Sequence, residues 1–377
     1  MRAARAASGS VAPGFEGVLE VFEDNLASGV ETGGAFAAMI EGELLVDLWG
    51  GLADAEAGRP WSERTAAVIF SGTKGVVATA LLLLVERGEL QLEARVSELW
   101  PEFAAGGKGQ VTVGQLFAHC GGIPGLELPL AFDDPQAMAR ALAAQAPIVP
   151  LGSPSYHALT YGWLADELVR RVDGRGIGAF VREELARPLG ELDLRIGLAA
   201  GDELAPELAR LRAAPGYALS AFAAAEPDPR LELVYGGARA TPDFWNDPGV
   251  LAAGVPAAGG VGTARALAAL YGRIVDGGGP LSPATLELGT RARGVGVDPL
   301  SGRLLRFGPT GYELAGTPSA SGPADDAFGH TGAGGSSHGG WPSLRTGFSY
   351  VTAELRSEEG DQRARSLLAA LHEALTR

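Results

Sequence analysis

The sequence predicts an α+β fold in which both ends of the chain build one sheet around a helical middle. Two observations carry this. Strand-like segments cluster near the two termini, and the text from about Val96 to Gly254 turns to short helices and Pro/Gly-rich connections. Strands and helices segregated in this way mark α+β chains, whereas α/β chains alternate them. The predicted division is a sheet domain of residues 1–95 and 255–377 and a mostly helical domain of 96–254. With 377 residues, 46% of them hydrophobic and 20% charged, the chain can bury a sizeable core without disulfides.

In chain order, Phe15, Val18, Leu19, Phe22 and Leu26 fall at helical spacing, which predicts an amphipathic helix over 14–26. Gly33 to Ile40 and Glu43 to Trp49 are strand candidates joined by the turn residues Glu41-Gly42. Ser71 to Gly88 is helical and apolar all round its middle, hence buried, with Gly88 suited to end it. Gln110 to Phe117 and Ser155 to Arg171 are the clearest helices of the middle region, followed by Thr263 to Val275. The C-terminal part has strand-like pieces, including Gly347 to Leu355, and closes with a helix over Asp361 to Leu375.

Composition excludes several functions. Thirty Lys and Arg against 45 Asp and Glu give a net charge of −15, which disfavours nucleic acid and anionic membranes as partners. Only Lys74 and Lys108 are lysines, so each is notable in an Arg-rich chain. The single Cys120 rules out an internal disulfide and a Cys-only zinc site. Residues 1–13 lack the apolar core of a secretory signal, and the longest apolar run, Val76 to Val85, is far below the ~20 residues that span a bilayer. A soluble, cytoplasmic protein is expected.

The chemistry concentrates in three places. Ser71-Gly72-Thr73-Lys74 is an S-x-x-K at the head of the buried helix. Its i and i+3 side chains share a face beside free backbone N–H groups. Ser71 could act as a nucleophile with Lys74 as its proton acceptor if burial lowers the lysine pKa by ~3 units from ~10.4. The bland alternative is a capping serine beside an unrelated lysine. Tyr156 sits at a loop–helix junction and could serve as base or relay, its phenolate favoured by a nearby ammonium. His330-Thr331-Gly332-Ala333-Gly334-Gly335-Ser336 is a glycine-rich turn whose N–H groups could join that of Ser71 in an oxyanion hole.

The order of the three, together with Phe70 to Gly75, Leu116 to Pro124, Tyr156 to Leu164 and Phe328 to Ser336, resembles the serine hydrolases that include class C β-lactamases, DD-peptidases and family VIII carboxylesterases. The esterase branch is the most similar. The resemblance spans about residues 13 to 355 and implies the β-lactamase/DD-peptidase-like fold: a central antiparallel sheet flanked by helices, a mostly helical domain, and the active site between them. It implies an acylated Ser71, Lys74 as proton partner, and Tyr156 sharing the base role and protonating the leaving group. The N–H groups of Ser71 and Ala333 would form the oxyanion hole, and His330, Thr331 and Gly332 would contact substrate. No cofactor or metal is implied, and the partner is a small ester.

Two departures refine this. Tyr-x-Asn becomes Tyr156-His157-Ala158, and the lysine of the K-T-G box becomes His330, largely neutral at pH 7.5 if its pKa is the usual ~6.5. Neutral esters are therefore expected over β-lactams. Acyl transfer, a peptide-cyclising thioesterase, weak β-lactamase activity and a non-catalytic binding protein are the alternatives. Two rival sites are weaker. Gly335-Ser336-Ser337-His338-Gly339 has the G-x-S-x-G pattern but is followed by a strand-like stretch instead of a helix. His330 and His338 lack any metal-ligand spacing. Trp341 and Trp245 are candidate walls of the acyl pocket, Cys120 is expected to be a buried, inert thiol, and residues 212–246 are expected to shape the pocket.

Overall fold

The computed structural model describes residues 6–128, 132–222, 226–236, 241–317 and 321–377. Its centre is a ten-stranded antiparallel sheet. The order is Ala7–Val11, Glu43–Asp54, Gly33–Ile40, Thr346–Thr352, Ser337–Trp341, Phe328–Thr331, Glu313–Leu314, Leu304–Phe307 and Gly294–Val297, with Arg59–Pro60 beside Glu43–Asp54. The two ends of the chain meet where Gly33–Ile40 pairs with Thr346–Thr352, in register from Thr346 opposite Ile40 to Thr352 opposite Gly34. Gly33–Ile40 is buried along its whole length. That is why it is nearly all apolar and does not alternate.

One face of the sheet is covered by the helices Glu16–Ser28 and Arg363–Thr376, which close a core around Phe22, Phe36, Trp341, Phe348 and Leu367. The other face carries the Ala264–Val275 helix and, further along, the Gly72–Glu86 helix. Gly72–Glu86 also packs against the Thr160–Asp173 helix, so it is wrapped on all sides and buried from Gly72 to Leu84. It ends where Gly88 takes φ +73°, a backbone state cheap only for glycine. A small second sheet of Ala67–Val68, Gly260–Gly262 and Leu194–Ile196 braces the chain entering this helix.

Several segments differ from the sequence reading. The helix expected over Gln110 to Phe117 starts at Val113, capped by Thr112, and runs on as a wider turn over Leu116–Cys120, where His119 takes φ +63° and turns the chain. The helix expected from Ser155 starts at Thr160, since Ser155 and Tyr156 are tied to Asp298 instead. The Arg363–Thr376 helix begins two residues late, where the Asp361 carboxylate takes the Arg363 N–H. Ala7–Val11, which carries no strand signal of its own in sequence, is an edge strand. Residues 1–5 lie outside the described part, as do 223–225 and 237–240 of the expected pocket-shaping segment.

Lys108 is structural. Its buried ammonium donates to the carbonyls of Ala105 at 2.8 Å and Ala143 at 3.0 Å, and to that of Gln145, tying residues 101–107 to the end of the Pro135–Ala144 helix. Among the described residues no helix is long and apolar enough to cross a membrane.

Candidate active site

The Ser71 hydroxyl stands at the head of the buried helix but caps nothing. Phe70, immediately before it, has φ +46°, a state that costs a non-glycine residue about 1–3 kcal/mol and persists only when its surroundings enforce it. The enforcement comes from the small sheet. The Ile69 N–H donates to the Gly260 carbonyl at 2.9 Å, and the Gly260 N–H donates to Thr73 Oγ1 at 2.8 Å. The strained backbone at Phe70 thus presents the half-exposed Ser71 hydroxyl to the site.

Two groups converge on that oxygen. Lys74 Nζ lies 3.1 Å from Ser71 Oγ, and the Tyr156 hydroxyl donates to the same atom at 2.9 Å. Lys74 is fully buried, and its other two contacts are the carbonyls of Ala158 at 2.7 Å and Ala257 at 3.0 Å. Burial pushes its amine well below the ordinary lysine range. A neutral amine has two N–H bonds, which the two carbonyls accept, and one lone pair, which then faces the serine O–H. Tyr156 moves the opposite way: burial holds its phenol well above the ordinary range, and the Ser71 hydrogen bond offsets this only in part. The sequence reading allowed a phenolate stabilised by an ammonium; the site instead favours a neutral amine beside a neutral phenol.

Tyr156 is held by neighbours that sequence reasoning missed. Asp298 accepts from the Tyr156 N–H at 3.3 Å and from Ser155 Oγ at 2.9 Å, fixing the loop ahead of the Thr160–Asp173 helix. The ring stacks on Phe307 at 5.9 Å and packs on His119 at 5.0 Å. Asp298-Pro299 carries a turn signal in sequence, but nothing there links it to a tyrosine more than a hundred residues away.

The His330–Ala333 turn faces Ser71. His330 Nδ1 bonds the Thr331 carbonyl at 2.7 Å, which leaves Nε2 3.5 Å from the Tyr156 hydroxyl. Burial pulls the His330 pKa down to about 3, further in the direction the sequence reading gave. Among the described residues no acceptor takes the N–H of Ser71 or of Ala333, and both residues line the same clefts. Gly332 makes the close approach possible, because a Cβ there would lie 2.4 Å from the Ile69 carbonyl oxygen and 2.2 Å from Ser336 Oγ. Gly332→Ala is expected to destabilise the fold by about 1–3 kcal/mol, a drop of several degrees in a thermal scan. A midpoint unchanged within one degree would show that the turn yields freely.

Two clefts diverge from Ser71. One is apolar, lined by Phe70, Phe132, Ala158, Leu159 and Trp245 among others. The second is polar and carries Tyr156, Arg303, Glu313, His330, Thr331 and Glu358. Trp245 therefore does wall a pocket and Trp341 does not. Trp341 belongs to the core on the opposite face of the sheet, packed against Phe348 with ring centres 4.9 Å apart and its N–H on the Ser321 carbonyl. Ser337 pairs with Tyr350 and faces that same core, so the G-x-S-x-G pattern is part of a hairpin with no nucleophile elbow. His330 and His338 are cross-strand neighbours, and His338 Nδ1 is bonded to Ser349 Oγ at 2.7 Å. Cys120 is buried, lines neither cleft, and has its pKa pushed up to about 11 by burial.

The same architecture occurs in known proteins. The family described as Beta-lactamase matches residues 19–373. The esterase/beta-lactamase LipL of Mycobacterium tuberculosis is 34% identical over 365 residues, covering 94% of this chain and 84% of LipL. The crystal structure of a family VIII carboxylesterase superposes with a TM-score of 0.89 at 34% identity, over 98% of this chain and 99% of that one. A penicillin-binding protein homologue from Caulobacter crescentus gives a TM-score of 0.88 at 35% identity, over 98% and 99% of the two chains.

Proposed function

The chain belongs to the beta-lactamase family of serine hydrolases, and on that premise we propose that it is a carboxylesterase acting on small neutral esters through an acyl-Ser71 intermediate. The observation that carries this is the shared contact of Lys74 and Tyr156 with Ser71 Oγ, in a setting that favours a neutral amine and a neutral phenol. The names of the relatives, esterase and carboxylesterase among them, support the same reaction.

The ester carbonyl oxygen lies between the N–H groups of Ser71 and Ala333, which stabilise the charge that develops on it. Ser71 Oγ attacks as its proton moves to the Lys74 lone pair. The tetrahedral intermediate collapses, Tyr156 donates its proton to the departing alkoxide, and the Lys74–Tyr156 pair is restored by the proton Lys74 took. Water then attacks the acyl-enzyme with the same groups in reverse. The acyl group occupies the apolar cleft, about 460 Å³ including its open mouth. His330, Thr331 and Gly332 line or position the alcohol side. In this reading residues 1–95 and 255–377 form the sheet domain, 96–254 the helical one, and the site lies between them. The single Cys120 supports a cytoplasmic setting.

The test is stoichiometric labelling. An activated butyrate ester, quenched in acid during turnover, is expected to leave one butyryl group per chain on the Ser71 peptide by mass spectrometry, and none in Ser71→Ala. Labelling elsewhere, or hydrolysis that survives Ser71→Ala, would overturn the assignment.

A further inference from the structure

The polar cleft holds a carboxylate that the reaction does not call for. Glu313 is only 6% exposed, on the two-residue strand Glu313–Leu314, and pairs with Gly329 so that its side chain reaches along to Thr331. The Thr331 hydroxyl and N–H both donate to Glu313 Oε2, at 3.2 and 3.4 Å, and the Thr317 hydroxyl donates to Oε1 at 3.2 Å. Two donors aimed at one oxygen form a seat for an anion. The protein's own carboxylate fills it.

We infer that Glu313 sets the charge selectivity of the alcohol side of the site, accepting neutral and cationic leaving groups and excluding those that carry a carboxylate. This rests on the esterase reading above. The leaving oxygen must reach the Tyr156 hydroxyl to be protonated, and Tyr156 lines the polar cleft but not the apolar one. The alcohol therefore enters the cleft that Glu313 lines. The other charged groups lining it are Arg303 and Glu358, joined in an ion pair at 3.0 Å, and His330 is kept neutral by burial. An arriving carboxylate meets an occupied donor pair and a like charge at close range, and such juxtapositions are strongly unfavourable.

The experiment compares kcat/KM for three butyrate esters that differ in leaving-group charge: 4-nitrophenyl, 3-carboxy-4-nitrophenyl and 3-(trimethylammonio)phenyl. Wild type and Glu313→Gln are measured in low salt and in 1 M NaCl. High salt shortens the screening length to about 3 Å and removes the long-range field of the acidic surface, while a contact-range effect persists. Wild type is expected to disfavour the carboxylate ester by about tenfold or more even in 1 M NaCl. In Glu313→Gln the neutral-to-anionic ratio is expected to fall to within about threefold. Because the readout is a ratio, a change in overall rate does not obscure it. If Glu313→Gln fails to fold, the wild-type series decides, since a preference that collapses in 1 M NaCl overturns the proposal. An unchanged ratio in Glu313→Gln also overturns it. Ser71-dependent turnover with no charge preference removes this inference alone, whereas no turnover of any ester removes the esterase reading with it.

Discussion

Lys74→Met is expected to lower kcat/KM for p-nitrophenyl butyrate by about three to four orders of magnitude, with the fold intact. The amine is the one group touching Ser71 Oγ that burial drives toward its basic form, since Tyr156 is driven the other way. Methionine fills similar volume without a basic nitrogen to take the Ser71 proton. It leaves the Ala158 and Ala257 carbonyls short of a donor, about 1 kcal/mol each, but it also removes the need to bury an amine. The unfolding midpoint at pH 7 should therefore move by only a few degrees. The lysine also has a linkage signature. Its folded pKa lies well below the unfolded ~10.4, so between those two values the unfolded chain binds a proton that the folded chain does not. Wild-type stability gains up to ~1.4 kcal/mol per pH unit from this group as pH rises through that window, and the gain is complete above ~10.4. Lys74→Met should lose that slope. Denaturant titrations of both proteins between pH 7 and 10 measure it. Parallel slopes, or a variant retaining activity within tenfold of wild type, would show that Lys74 is charged and is not the proton acceptor.

Much of this site was legible because its signals are local. The S-x-x-K spacing lies on one helix, and the apolar run Val76 to Val85 behind it announces burial, the property that changes the lysine's chemistry. The Gly33–Ile40 strand likewise shows in its own letters. What escaped depends on register between distant strands. Glu313 has the letters of an ordinary surface carboxylate, and only the pairing of its two-residue strand with Phe328–Thr331 brings it to Thr331. Asp298 supports Tyr156 from 142 residues away in sequence. Trp341 was misplaced for a related reason. A strand sends alternate side chains to opposite faces, so its place beside the glycine-rich turn does not say which face it takes. The absence of the Asn and Lys used by β-lactamases was visible, but the acid occupying the vacated anion seat was not.

The fold should be unusually sensitive to mild acid, because four of its five histidines are buried. Burial lowers His157 to about 4 and His330 and His338 to about 3, and holds His119 well below the ordinary range. Each is neutral in the folded chain where the unfolded chain, at ~6.5, already takes a proton. Stability is therefore lost as pH falls below ~6.5, by up to ~1.4 kcal/mol per unit for each histidine and roughly 4 kcal/mol per unit for the three with assigned values. Against a total of about 5–15 kcal/mol, the loss reaches roughly 4 kcal/mol by pH 5.5 and roughly 10 kcal/mol by pH 4, which is most of that stability. Carboxylates contribute chiefly below ~4.5, so loss between pH 5 and 6.5 belongs to the histidines. His338 offers the cleanest test, since it packs under Gly72, where a Cβ would lie 2.4 Å from its ring, and touches neither cleft. His338→Gln can keep a hydrogen bond to Ser349 but cannot titrate, so its stability between pH 5 and 6.5 should fall less steeply by about one proton. Denaturant midpoints across that range, followed by circular dichroism, measure both slopes. A wild type equally stable at pH 5 and 6.5 would mean that the buried histidines are protonated in the native state, and the neutral His330 on which the proposed alcohol cleft depends would fall with it.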